Sequence, residues 1–226
     1  MIPKVIYMCD KELMFIEKYS ENWKILNPDY EIKLYNDKMC EEFLLTEFSE
    51  LHYEIFKYIK DGPIKADFWR VCVLYKYGGI YVDADVEPLV PINEFIDVSS
   101  NFIICTSLSF FNFMDPIFLA THPNNEYLKK CIDVYIEKYN NKSYNYILWS
   151  IMTVMSFNNI FPISNLKKQC GLYKVKYSDN DNYIIQLLEE NKDDYTSYGD
   201  HAIYNSMRLF NCRYKNYCDK THKFLK

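Results

Sequence analysis

The sequence predicts an α/β fold from the order of its apolar runs. A β-type run over residues 1–9 is followed by a helical stretch over 11–26 that carries Leu13, Phe15, Ile16 and Trp23, and then by a second strand over 30–35. Helices between 40 and 77 lead into a third β-type run, 80–86, which closes on two carboxylates. Strands alternating with helices are the pattern of a sheet covered by helices. In open sheets of that kind the ligand sits beyond the carboxyl ends of the strands, which places 7–10, 35–37 and 83–85 around one crevice.

At 226 residues, 49% hydrophobic and 25% charged, the chain has the size of one domain and can bury a sizeable core, so a single domain over 1–226 is expected. A net charge of −5 argues against general nucleic-acid binding, which needs a basic footprint. The eight cysteines, Cys9, Cys40, Cys72, Cys105, Cys131, Cys170, Cys212 and Cys218, are scattered without framework spacing. Several lie in apolar runs, where a thiol behaves as a small hydrophobe. No signal-type apolar region opens the chain, and no run approaches the ~18 apolar residues of a membrane span. A cytoplasmic protein with reduced thiols and no transmembrane segment is therefore expected.

Residues 63–77 read as a helix, with Pro63 in the first turn and Gly78-Gly79 at the end. Asp67 and Arg70, three apart, share a face of it. An exposed pair at that spacing is worth only about 0.2–0.5 kcal/mol. Here Phe68, Trp69, Val71 and Leu74 bury part of the helix, and a buried arginine beside an acid needs a reason. After the glycines, 80–86 reads as a strand, so Tyr81, Asp83 and Asp85 share one face while Ile80, Val82 and Ala84 point into a core. Two neighbouring carboxylates repel unless a proton or a cation lies between them. A hard divalent ion bridging to the phosphates of a nucleotide resolves that conflict. The plainer alternative is a polar strand end entering a turn at Glu87-Pro88.

Further on, apolar runs at 102–106 and 110–119 precede a helix at 127–139. His122, before a proline at the loop-to-helix junction, reads as structural. His201 lies in a Tyr-rich segment, 198–207, where it is either a packing residue or a ligand. The basic stretch 213–226 reads as a tail or surface helix.

The segments Ala66-Asp67-Phe68-Trp69-Arg70 and Leu74-Tyr75-Lys76-Tyr77-Gly78-Gly79-Ile80-Tyr81-Val82-Asp83-Ala84-Asp85-Val86 resemble the signature of glycosyltransferase family 32. That family has a sugar-binding region with a DXD motif and is related to the glucosylating clostridial toxins. Residues 2–7 and 27–36 look like its first two strands. The resemblance implies a GT-A type nucleotide-diphospho-sugar transferase fold with a mixed central sheet flanked by helices. It departs from the family at the end of the first strand, where Cys9-Asp10 stands in place of a base-stacking aromatic and Tyr7 is the nearest substitute. It departs again at Trp149-Ser150-Ile151-Met152-Thr153, where the family often has Thr-Gly-Pro, and at Met207, where it has Trp.

By that resemblance the chain is a retaining hexosyltransferase that moves a sugar from a nucleotide-diphosphate donor to an acceptor hydroxyl. A UDP-sugar is favoured over a GDP-sugar, and the acceptor is an unidentified glycan, lipid, protein or polyol. Asp67, Arg70, Asp83 and Asp85 are the implied catalytic residues. Tyr7, Tyr81 and His201 join them around the nucleotide sugar, and Asp83, Asp85 and His201 hold Mn²⁺ or Mg²⁺. The alternatives are a degenerate protein that binds a nucleotide sugar without transferring it, or a metal-dependent phosphoryl-transfer enzyme.

Overall fold

A mixed sheet forms the centre of the molecule, with helices against both faces. This computed structural model describes residues 1–106, 114–158, 160, 170–177, 180–191, 201–204 and 207–212. The chain begins β1 (Val5–Cys9), α1 (Leu13–Leu26), β2 (Glu31–Tyr35), α2 (Asp37–Glu47), α3 (Glu50–Tyr58), α4 (Gly62–Tyr77), β3 (Gly79–Val82) and β4 (Val86–Pro88). After a single 3-10 turn come β5 (Phe102–Thr106), β6 (Met114–Thr121), α5 (Glu126–Asn140), α6 (Tyr146–Trp149) and α7 (Ile151–Phe157). The remaining strands are β7 (Gly171–Tyr177), β8 (Asn180–Asn191), β9 (His201–Tyr204), β10 (Met207–Arg208) and β11 (Phe210–Cys212). Of the two stretches expected near the middle and end of the chain, 110–113 and 213–226 lie outside the described residues.

The sheet runs β10-β9-β8-β5-β6-β3-β1-β2, with β7 also paired to β8. β1 is parallel to both β2 and β3, and β5 to β8, whereas β6 runs antiparallel to β3 and β5. The carboxyl ends of β1, β2 and β3 therefore meet the amino end of β6 along one edge. Both faces of the sheet are covered. Ile6, Met8, Ile80 and Val82 pack with Trp23, Val86 and Phe210 on one side, while Tyr7 and Tyr81 join Trp69 on the other. Parallel strands buried on both faces are the rule in such folds.

α4 is the interior helix, buried without a break from Asp67 to Leu74. Its apolar residues run most of the way round the axis, so it cannot sit at the surface. It stops as the sequence predicts: the Gly78 amide donates to the Leu74 carbonyl at 2.8 Å, with φ at +64°. A Cβ at this position would come within 2.7 Å of Pro123 Cδ, so glycine is required by both conformation and space. The helix thus delivers the chain into β3 against the start of the β6–α5 connection.

The strand expected over 80–86 is interrupted. β3 ends at Val82, and residues 83–86 form a turn in which the Val86 amide donates to the Asp83 carbonyl at 3.1 Å and the Asp83 amide to the Ile117 carbonyl at 3.0 Å. Pairing with β1 extends only to Tyr81, and aspartate is a poor strand former, so nothing carries the ladder further. β4 leaves the sheet to pair with β11, Val86 opposite Cys212. It is fixed from α1 as well: Trp23 Nε1 donates to the Val86 carbonyl at 3.0 Å, and its ring lies 5.7 Å from that of Phe210.

Cys40, Cys72, Cys105 and Cys131 are buried in the core as small apolar groups. Among the described residues, no helix is long and apolar enough to cross a membrane. The glycine that ends α4 gives a direct test of this geometry. Gly78→Ala should lower stability by about 1–3 kcal/mol, the cost of holding a side chain in that backbone region, read from the urea midpoint. An unchanged midpoint would show that the contact with Pro123 relaxes without cost.

Candidate active site

α4 presents Asp67 and Arg70 toward the carboxyl end of β3. Arg70 Nη2 lies 3.0 Å from Asp67 Oδ1 and 2.9 Å from Asp83 Oδ1. Nη1 donates to the Pro116 carbonyl at 2.8 Å, and Nε reaches back to the Ala66 carbonyl at 3.4 Å. The guanidinium carbon stands 4.3 Å from the centre of the Tyr81 ring, a cation–π contact. The second oxygen of Asp67, Oδ2, accepts from the Ile151 amide at 3.0 Å. One side chain therefore ties together α4, the turn after β3, the start of β6 and, through Asp67, the start of α7.

The Arg70 and Asp67 side chains are 5% and 10% exposed, and Asp83 is 25% exposed, so the cluster opens to solvent on the Asp83 side. Burial alone would pull Arg70 down, but Asp83, Tyr81 and Asp67 outweigh it and raise its pKa, so it stays charged. Asp67 is pushed up to about 6, chiefly by burial and further by Asp83, against the opposing pull of Arg70 and the Ile151 amide. Loss of water around Asp67 is the main cause, and a guanidinium shared with Asp83 offsets only part of it. Asp85, one residue past the Ala84 corner of the turn, is half-buried like Asp83.

Three sequence expectations at this site change. Tyr7 and Tyr81 are core residues, because α4 covers that face of β1 and β3: Tyr7 packs against Tyr35 and Trp69, and Tyr81 lies under Arg70. Neither offers an open ring to a base, and the half-buried aromatic at this edge is Tyr35, at the end of β2. The common strand face expected for Tyr81, Asp83 and Asp85 gives way to the turn. At the end of β1, Cys9 Sγ lies 3.6 Å from the Tyr81 hydroxyl, and burial raises the pKa of Asp10.

His201 falls in β9, its backbone opposite Asn191, while its side chain lies outside the described residues. His122 is structural, with Nδ1 2.8 Å from the Pro123 carbonyl and its ring edge-on to Tyr183. Among the described residues, no group of three or more His, Cys, Asp or Glu converges on a point that could hold a metal. The donors present are Asp83 and Asp85, hard oxygens that suit Mg²⁺ or Mn²⁺ and leave coordination positions for phosphate. An apolar cavity of about 240 Å³, bordered by Ile2, Tyr30, Ile96 and Val98, lies away from this cluster and shares no residue with it.

Residues 16–102 match the family described as "Glycosyltransferase sugar-binding region containing DXD motif". The matched stretch holds Asp67, Arg70, Asp83 and Asp85, so the resemblance read from the sequence holds over it. An initiation-specific alpha-1,6-mannosyltransferase of Candida albicans is 32% identical over 84 residues, which are 36% of this chain and 22% of that protein. The inositol phosphoceramide mannosyltransferase 3 of Schizosaccharomyces pombe is 38% identical over 90 residues, 38% of this chain and 24% of that protein. The chain thus covers about a quarter of the length of these curated relatives. The solved structure of PaToxG Glycosyltransferase superposes with a TM-score of 0.56 at 18% identity, over 69% of this chain and 68% of that one. At that identity the likeness shows the fold, a GT-A-like α/β arrangement with a mixed sheet and flanking helices.

The raised Asp67 pKa makes stability depend on pH with a defined sign. Its folded value of about 6 exceeds the ~3.9 of an unfolded aspartate. The stability contributed by protonated Asp67 is therefore fully present below about pH 4 and is lost as pH rises through about 6. Asp67→Asn does not titrate, so wild type should lose about 2–3 kcal/mol relative to this variant over that window, read by urea unfolding at both ends. A difference that stays flat or runs the other way would contradict the assignment.

Proposed function

We propose that the chain is a retaining glycosyltransferase that moves mannose from a GDP-mannose type of donor to an acceptor hydroxyl, with a divalent cation at Asp85 and Asp83. The observation that carries this reading is Arg70, held between Asp67 and Asp83 at the carboxyl end of β3, two residues from Asp85. The glycosyltransferase region over 16–102 supports the reaction class. The names of the curated relatives, mannosyltransferases, support mannose, and the UDP-sugar expected from the sequence draws no support from them.

In this reading Asp67 and Arg70 bind hydroxyls of the donor sugar and fix its ring, a positioning effect. Arg70 also sets a permanent positive charge beside the region where negative charge gathers as the diphosphate departs. Tyr35 borders the base. Asp83 and Asp85 would hold the cation, Mn²⁺ or Mg²⁺, which when bound would supply Lewis acidity toward the leaving diphosphate. Both oxygens of Asp67 already accept bonds, from Arg70 and Ile151, which favours front-face attack over a glycosyl-aspartate intermediate. The acceptor oxygen forms its bond to the anomeric carbon as the bond to the diphosphate breaks, and the acceptor proton passes to the departing phosphate oxygen.

Thermal unfolding with GDP-mannose, GDP, UDP-glucose and UDP, each with and without Mn²⁺, tests the reading. Near-saturating GDP-mannose with Mn²⁺ should stabilise the protein by about 3 kcal/mol, a Tm rise of roughly 5–10 °C, and Asp85→Asn should abolish the rise. A shift confined to the UDP compounds would replace mannose, and no shift with any of them in folded protein would remove the transferase reading. A covalent sugar on Asp or Glu, detected by mass spectrometry, would overturn front-face attack.

A further inference from the structure

The connection from α5 to α7 presents apolar side chains to water beside the site. Trp149 is buried, with Nε1 donating to the Ser143 carbonyl at 2.6 Å and its own carbonyl accepting from the Tyr135 hydroxyl at 2.9 Å. The Tyr144 hydroxyl donates to Asp61 Oδ2 at 2.6 Å, and Asn145 caps the short α6 by accepting from the Leu148 amide at 3.0 Å. The turn is thus anchored at both ends. Yet Tyr146, Ile147 and Leu148, three consecutive large apolar residues, are 50%, 69% and 52% exposed. An exposed apolar cluster on a rigid support marks an interaction surface.

Its charge and position say what it meets. Lys138 and Lys142 lead into it from α5, and Lys57 and Lys60 flank in sequence Tyr58, whose ring packs against Trp149 at 5.8 Å. Lys142 lies at the ledge itself, its ammonium over the rings of Tyr139 at 3.5 Å and Tyr58 at 5.4 Å, and Lys138 precedes it by one helical turn. A projecting apolar tip beside lysines, with the neighbouring acid Asp61 engaged by the Tyr144 hydroxyl, fits an anionic lipid surface: the side chains enter the acyl boundary while the ammonium groups meet phosphates. Two residues after the ledge, the Ile151 amide holds Asp67. The charge of Asp67 is felt at the Tyr146 phenol, which burial and then Asp67 and Asp61 raise.

We propose that the 146–148 ledge, with Lys138 and Lys142, docks the protein on an anionic lipid bilayer, so that an acceptor hydroxyl carried by a membrane lipid reaches the donor site from this side. The placement of the acceptor rests on the glycosyltransferase reading; the docking does not. Co-sedimentation of the full chain with phosphatidylcholine vesicles, with and without phosphatidylserine, tests it. The wild type should sediment with the anionic vesicles and much less with the neutral ones. The double variant Ile147→Asp, Leu148→Asp should bind at least about tenfold more weakly, and Lys142→Glu about fivefold or more.

Lys142, Ile147 and Leu148 are exposed, so the variants should keep the wild-type circular dichroism spectrum and nucleotide-sugar response. Asp85→Asn should still sediment, which separates failure of the docking from failure of the transferase reading. The proposal is overturned by equal sedimentation of the wild type and the ledge variant, or by no binding to anionic vesicles. It is also overturned if ultracentrifugation shows that the ledge variant turns a wild-type dimer into a monomer, since the ledge would then cover a second copy of the chain.

Discussion

Arg70 is one positive charge shared by two carboxylates in a place that is nearly dry. Taking a guanidinium out of water costs several kcal/mol, and only a complete set of partners offsets that cost. The set here comprises Asp67, Asp83, the carbonyls of Pro116 and Ala66, and the face of Tyr81. A lysine could not replace it: a compact ammonium has no planar fork to reach two acids and two carbonyls and still stack on a ring. The buried course of α4 follows from the same requirement. The helix has to lie against β3 closely enough for Arg70 to reach the turn beyond it, and the glycine ending at Gly78 permits that approach.

The Arg70 contacts also fix the edge of the sheet in advance of any ligand. Elements from three parts of the chain, 62–77, 114–121 and 151–157, are held in one relative position by bonds of 2.8 to 3.0 Å. A site preorganised in this way needs no rearrangement of its floor when charge develops above it. What remains exposed is the acidic side of the cluster, Asp83 with Asp85 close by in the chain, and this is the side on which a cation and a diphosphate would have to meet.

Much of this was legible in the sequence where local chemistry decides the outcome. Pro63 and the Gly78-Gly79 pair bracketed α4, and the three-residue spacing of Asp67 and Arg70 within an apolar helix signalled a buried pair. The break after Val82 was not legible, because alternation of apolar residues continues through Val86 while the partner strand has already ended. Nor was the burial of Tyr7 and Tyr81, since a strand pattern does not show that helices cover both of its faces. The Ile151 amide and the Pro116 carbonyl are backbone groups, carry no signature of residue type and are set only by tertiary packing. The ledge at 146–148 had a visible pattern, apolar residues in an acid-free stretch, but the burial of Trp149 is what turns its neighbours outward.

β4, the strand that follows Asp85, takes its partner from β11, near the far end of the chain. Closing so distant a contact is slow relative to local helix formation, because the chain entropy of the intervening loop must be lost first. On a ribosome the two aspartates emerge well before the strand that their downstream flank leans on, since Phe210–Cys212 lies far beyond them in the chain. A nascent chain therefore holds the acidic pair without that support while the intervening residues are made.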